Sequence, residues 1–247
     1  MSLIQNYFTE IKKLLETIED KQNDVLQKAA EKISESIENE GIIHLFGCGH
    51  SHMIGEELFY RAGGLAQVNP ILVEDLMLHR GAVNSSTLER TNGMAQTFMV
   101  NIDIQAKDVL IVSSTSGRNP VPIDVAQIAK EHGAFVIAIT SPRYAETQSS
   151  RHKNGLFLFE AADLVIDNCI QLGDFLLQEE KSNLAFAPGS TIAGMTIVNS
   201  LVAGAVDILL QKGITPPIFK SGNVDGADDD NRLLVDKYKK RIPLLEL

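Results

Sequence analysis

Cysteine is scarce in this chain. Its 247 residues hold two, Cys48 and Cys169, too few for a disulfide framework, and that points to a reducing, cytoplasmic setting. Positive charge is also in short supply: 22 Lys and Arg stand against 32 Asp and Glu, for a formal net charge of −10. The field of the whole molecule therefore opposes nonspecific contact with nucleic acid or anionic membrane, although a local anion site remains compatible with it. Long uninterrupted apolar runs are missing too. The opening stretch, "MSLIQNYFTEIKKLLETIEDK", mixes charge into its apolar residues from the start, unlike a signal peptide or a spanning helix. The apolar stretch nearer the C-terminus is interrupted by Asn199, Ser200 and Asp207. No internal repeat and no low-complexity linker divides the chain. What is present is a 44% hydrophobic composition, over a length that can bury one large core.

Ile4, Tyr7, Phe8, Ile11, Leu14, Leu15 and Ile18 recur at helical spacing behind Ser2, a residue suited to cap a helix. The polar stretch "EDKQND" follows, and then Val25, Ala29, Ile33 and Ile37 recur at steps of four up to Gly41. This pattern predicts a helical hairpin over residues 1–40, packing on the domain or swapping between subunits. From Gly41 the pattern changes to short apolar runs rich in β-branched residues: "IIHLF" (42–46), "ILV" (71–73), "VLIVS" (109–113), "FVIAIT" (135–140) and "LVI" (164–166). Their length and composition suit buried parallel strands. A helix starting near Pro122 and ending at Gly133 separates the third from the fourth. The alternation predicts an α/β protein, a doubly wound five-stranded parallel sheet over residues 41–213. Pro70 sits where the second strand opens, as an edge position in a 2-1-3-4-5 order would allow. A long helix apolar around most of its circumference spans about Pro188 to Lys212, and residues 214–247 form a polar tail with a short helix from Asp230.

In such a sheet ligands bind beyond the carboxyl ends of the strands, where neighbouring connections leave in opposite directions. Those ends carry "GCGHS" (47–51) after the first strand and "SSTSGRN" (113–119) after the third. Glycine lets backbone N–H groups approach an anion, hydroxyls add donors, and a helix N-terminus adds favourable partial charge. The ligand that fits is phosphorylated. A dinucleotide loop is a poorer match, because His52 occupies the place of the third glycine in G-x-G-x-x-G. Cys48, His50 and His52 could join a metal only if the segment stayed extended, and a turn leading into a helix would scatter them. His44, on the strand itself, reads as a core histidine.

These residues resemble a known family. Gly47-Cys48-Gly49-His50-Ser51, paired with Ser114-Thr115-Ser116-Gly117-Arg118-Asn119 and then "FVIAIT", is similar to the sugar isomerase (SIS) domain over roughly residues 25–212. The resemblance implies a flavodoxin-like sheet, a phosphosugar ligand, no cofactor, and homodimers or homotetramers with sites near subunit interfaces. By position it implies that Gly49, Ser51, Ser114, Ser116 and Asn119 hold the sugar phosphate. "PGSTIAGMTIVN" is similar to a segment of the N-acetylmuramic acid 6-phosphate etherases, with Ser190 and Thr191 either contacting ligand or capping the helix. Isomerisation through an enediol needs a base and a second acid/base group. Glu74 with His79 stands in the region after the second strand, ahead of Glu57 within "GEELF", which resembles the "EEL" of phosphoheptose isomerases. The resulting expectation is an aldose–ketose isomerase resembling phosphoheptose isomerase. The alternatives are a noncatalytic phosphosugar sensor and an etherase-like lyase.

Overall fold

The computed structural model describes residues 2–179 and 181–246. Helix α1 (Leu3–Glu38) opens on a capping box, in which the Ser2 side chain accepts the Gln5 N–H and the Gln5 side chain accepts the Ser2 N–H. It runs unbroken for 36 residues, so the hairpin expected over residues 1–40 is corrected to one helix about 54 Å long at 1.5 Å per residue. The polar stretch "EDKQND" contains neither glycine nor proline, and all of it tolerates helix. The buried stripe of Leu14, Ile18, Ala29 and Ile33 skips one turn there, where Gln22 Oε1 instead accepts the N–H of Asp167 at 3.0 Å.

The sheet consists of β1 (Ile43–Gly47), β2 (Val68–Pro70), β3 (Val109–Ser113), β4 (Phe135–Thr140) and β5 (Leu164–Asp167), all parallel, in the order β2-β1-β3-β4-β5. Strand β2 lies three residues earlier than "ILV", and Pro70 closes it rather than opening it. Its middle residue is the polar Asn69, whose Nδ2 lies 3.0 Å from His44 Nδ1, so a buried polar pair hides the strand from an apolar reading.

Alternation along the central strands divides the core. Ile43, Leu45, Ile111, Ile137 and Ile139 face one side, with α1, α2 (Met53–Leu58) and α7 (Ser190–Gln211). Phe46, Leu110, Val112, Val136 and Ala138 face the other, with α3 (Ala82–Leu88), α4 (Met94–Met99), α5 (Pro120–Glu131) and α6 (Leu158–Ala161) following on that half of the molecule. Helices α1 and α7 cross closely at Gly204, where an added Cβ would stand 2.9 Å from Ala30 Cβ. Helix α7 is long and apolar enough to cross a membrane by length and composition, yet it packs against α1 and α2 within the domain. A two-stranded antiparallel ribbon, β6 (Leu177–Glu179) and β7 (Leu184–Phe186), precedes it. The tail carries α8 (Ala227–Tyr238), which begins three residues before Asp230 and packs Tyr238 and Ile242 on Ile42.

Candidate functional site

The register pairs Gly47 with Ser113, so the loops after β1 and β3 leave the sheet side by side. The first continues into α2 on one face and the second into α5 on the other, which makes their junction the switch point of the sheet. Each loop turns on a glycine in the left-handed region: Gly49 at φ 56° and Gly117 at φ 58°. A side chain at Gly47 would collide with the backbone of Ser51, so the first loop folds back over the end of its own strand. The Ser51 N–H closes it on the Cys48 carbonyl at 3.0 Å. In the second loop Ser114 N–H donates to the Ile139 carbonyl (3.0 Å) and Leu158 N–H to the Gly117 carbonyl (2.8 Å). Asn168, buried after β5, donates to the Thr115 hydroxyl at 3.2 Å. The neighbouring strands thus fix the second loop from below. Among the described residues, the backbone N–H groups of Gly49, Thr115 and Ser116 take no protein acceptor, and all three residues are only half-buried. The half-buried hydroxyls of Ser51, Ser114 and Ser116 add further donors on the same two adjoining loops.

Asn119 ends the second loop with protein partners at its side chain. Its buried side chain donates through Nδ2 to Glu89 Oε1 at 2.9 Å and accepts Arg151 Nη1 on Oδ1 at 2.8 Å, so two protein partners fix the orientation of the amide. Arg118 turns away to the Ser149 carbonyl (2.9 Å) and Gln148 Oε1 (3.0 Å). Ser190 is committed as well: its hydroxyl donates to Asp174 Oδ2 at 2.6 Å, and the Gly189 and Ser190 N–H groups donate to Asp174 Oδ1. An internal carboxylate therefore occupies the N-terminus of α7, and Thr191 follows it in the half-buried first turn. Glu74 and His79 lie on exposed single turns, Glu74 3.4 Å from Arg80. Glu57, on α2, accepts from Arg61 and from Asn199 Nδ2 (2.9 Å) on α7.

The cysteine and histidines of the first loop are scattered by its turn. Cys48 is buried, and burial first, with the Glu89 charge second, holds its thiol well above the ordinary range, the opposite of a nucleophilic thiolate. His50 is exposed, while His52 Nδ1 bonds the Gly49 carbonyl and its Nε2 lies 3.6 Å from Glu56. Among the described residues no group of three His, Cys, Asp or Glu could hold a metal ion. His44 is a core histidine, fully buried and 3.3 Å from Asp108 Oδ2.

Glu89, Arg151 and Asp174 escape a sequence reading. Each acts on a partner 15 to 32 residues away, and none stands in a motif. The only local sign at Glu89 is its place between the end of α3 and Gly93, a left-handed residue that starts α4.

A five-stranded doubly wound sheet, with glycine-hydroxyl loops paired at its switch point, defines an α/β domain of the sugar isomerase type. The chain belongs to the SIS domain family, which residues 6–141 match. It is 56% identical over 245 residues to a UPF0309 protein of Halalkalibacterium halodurans, covering 99% of this chain and 98% of the relative. A UPF0309 protein of Listeria monocytogenes serotype 4b is 55% identical over 243 residues, covering 98% of each. Among solved structures, the sugar isomerase domain of an RpiR transcription factor from Sphaerobacter thermophilus superposes with a TM-score of 0.56 at 13% identity, over 97% of this chain and 99% of that one. A phosphoheptose isomerase from Francisella tularensis gives 0.52 at 16% identity, over 82% and 95%. At these identities the likeness is one of fold.

Proposed function

We propose that the switch-point cleft binds a phosphorylated sugar and interconverts its aldose and ketose forms through an enediol. The observation that carries the reading is the set of unpartnered N–H groups at Gly49, Thr115 and Ser116, on two left-handed glycine turns held side by side by the β1–β3 register. Such a set matches a tetrahedral dianion, with Ser51, Ser114 and Ser116 adding hydroxyl donors. Membership of the SIS family and the fold shared with a phosphoheptose isomerase support the same ligand class. The setting we propose is cytoplasmic, with a homo-oligomer as the working form. A second reading, a sensor that binds without turnover, is favoured by one feature: Glu74 and His79 sit on exposed turns, with Glu74 beside Arg80.

A panel of sugar phosphates, scored first by thermal stabilisation and then by NMR for turnover, separates the two. Isomerase activity predicts conversion of at least one stabilising sugar, and stabilisation without conversion across the panel favours the sensor. Ser51→Ala and Ser116→Ala are each expected to weaken that stabilisation about 10-fold or more, the scale of one hydrogen bond to a charged group. Unchanged stabilisation in both variants removes the phosphate assignment.

A further inference from the structure

Beside the cleft lies a carboxylate that no loop motif contains. Glu89 follows the last turn of α3, and its carbonyl accepts the N–H of Val121, in the first turn of α5, at 3.3 Å. The side chain is thereby carried to the root of the second loop, where Oε1 accepts Asn119 Nδ2 at 2.9 Å. Asn119 cannot turn its amide over, because Arg151 donates to its oxygen, so the nitrogen must face Glu89. Among the described residues Oε2 of Glu89 has no protein partner. Cys48 of the first loop lies close enough for the Glu89 charge to act on its thiol. The carboxylate thus stands at the root of the second loop and within electrostatic reach of the first, oriented through one oxygen and, among the described residues, without a partner at the other. The other candidate acids differ: Glu57 is bound to Arg61 and Asn199, and Glu74 is exposed beside Arg80.

We propose that Glu89 is the acid/base of the phosphosugar site, an inference that rests on the isomerase reading above. With the sugar open, its carboxylate removes the C2 proton of the aldose. The C2–H electron pair becomes the C1=C2 bond, and the carbonyl pair moves to O1, which takes a proton from solvent. The enediol then loses its O2 proton to solvent, that pair forms the C2 carbonyl, and the C1=C2 pair takes a proton at C1 from the Glu89 carboxyl, whose own proton exchanges with solvent while the enediol is bound. No other reactant enters and atoms balance. Burial raises the proton affinity of Glu89, and the charges of Arg90 and Arg151 oppose this in part. Arg118 stands beyond Arg151, and the neutral Cys48 thiol faces from the first loop. Such a carboxyl takes and returns a proton more evenly than a solvated one.

The test is hydrogen exchange at C2, followed by proton NMR in deuterated water, with glucose 6-phosphate, glucosamine 6-phosphate and arabinose 5-phosphate as probes. Glu89→Gln keeps the acceptor for Asn119 and the side-chain shape, so a bracing role alone would leave exchange intact. The proposal expects exchange to fall about 10²–10⁴-fold, the usual range for a general base, while thermal stabilisation by the same sugar phosphate persists. It also expects the rising limb of the pH profile, set by deprotonation of Glu89, to vanish in that variant. Exchange within threefold of the wild type overturns the proposal and leaves the isomerase reading standing. A wild type that is stabilised by these sugars but exchanges none of them overturns both. Should the Gln variant fail to unfold cooperatively, Glu89→Asp decides, since a carboxylate drawn back by one methylene is expected to lose at least 10-fold and wild-type exchange there refutes the assignment.

Discussion

Gly117 leaves almost no latitude in the second loop. It holds φ at 58°, and a Cβ added there would lie 2.6 Å from Thr140 Oγ1, the hydroxyl at the end of β4. Gly117→Ala therefore combines a backbone conformation that L-residues avoid with a contact the buried Thr140 cannot relieve. The expected cost is roughly 2 kcal/mol of unfolding free energy, together with loss of stabilisation by sugar phosphates, and urea titration with thermal shift checks both. At this scale the two glycine turns are legible in the sequence, because glycine and hydroxyl residues cluster where strands end. Asn119 shows the limit. Its partners Glu89 and Arg151 lie 30 and 32 residues away, and nothing in the local sequence announces them. Ser190 shows the same, since the carboxylate that takes its hydroxyl belongs to Asp174, 16 residues earlier.

Beside its apolar packing, the C-terminal tail is tied to the start of β3 by the guanidinium of Arg241. Arg241 donates from Nη1 and Nη2 to the two oxygens of Asp108, at 3.0 and 2.7 Å, and from Nε to Asp103 at 2.8 Å. Asp108 also receives the N–H groups of Ile42 and Gln105 at 2.8 Å each. Burial alone would raise its pKa, but the bonds from His44, Arg241 and these N–H groups outweigh that and hold the carboxyl well below the usual range. Removing one partner of such a buried pair leaves a stranded charge, so Arg241→Ala is expected to cost about 3 kcal/mol near neutral pH by urea titration. The sign with pH follows. A depressed carboxyl contributes stability that is complete above its unfolded value of about 3.9 and is lost as pH falls from there toward the folded value. The difference between wild type and variant should accordingly be smaller at pH 3 than at pH 7. Elements with one dominant environment were legible: β3 and β4 are buried on both faces and read as apolar runs with their observed limits. Elements that rely on polar contacts were not. Strand β2 is masked by Asn69 and α1 by the turn around Gln22, each of which satisfies a distant group instead of presenting a hydrocarbon surface.

For the whole molecule the strand order was legible from the buried runs and from a proline at an edge, and the switch point between β1 and β3 follows from that order. Subunit assembly is the scale at which helix faces matter. Leu3, Ile4 and Phe8 on α1 are exposed, as are Ile192 and Leu210 on α7, a helix apolar around most of its circumference. Such surface is expected to be covered by a second copy of the chain. Sedimentation equilibrium should show an oligomer, and Phe8→Asp combined with Ile192→Asp should shift it toward monomer. An unchanged mass in the double variant would place the contact elsewhere.

The two edges of the sheet are poorly suited to pair with a neighbour. On one side β2 spans three residues and ends in Pro70, which has no N–H to extend a ladder. On the other, the outward N–H of Asp167 at the end of β5 is already taken by Gln22 of α1. One rim is thus short and ends in an imino acid and the other has its last N–H capped by a helix packed against it, features that disfavour growth by strand addition. The turn of polar residues that breaks the apolar stripe of α1 thereby serves as a guard on the edge of the sheet, capping a donor that would otherwise face an incoming strand.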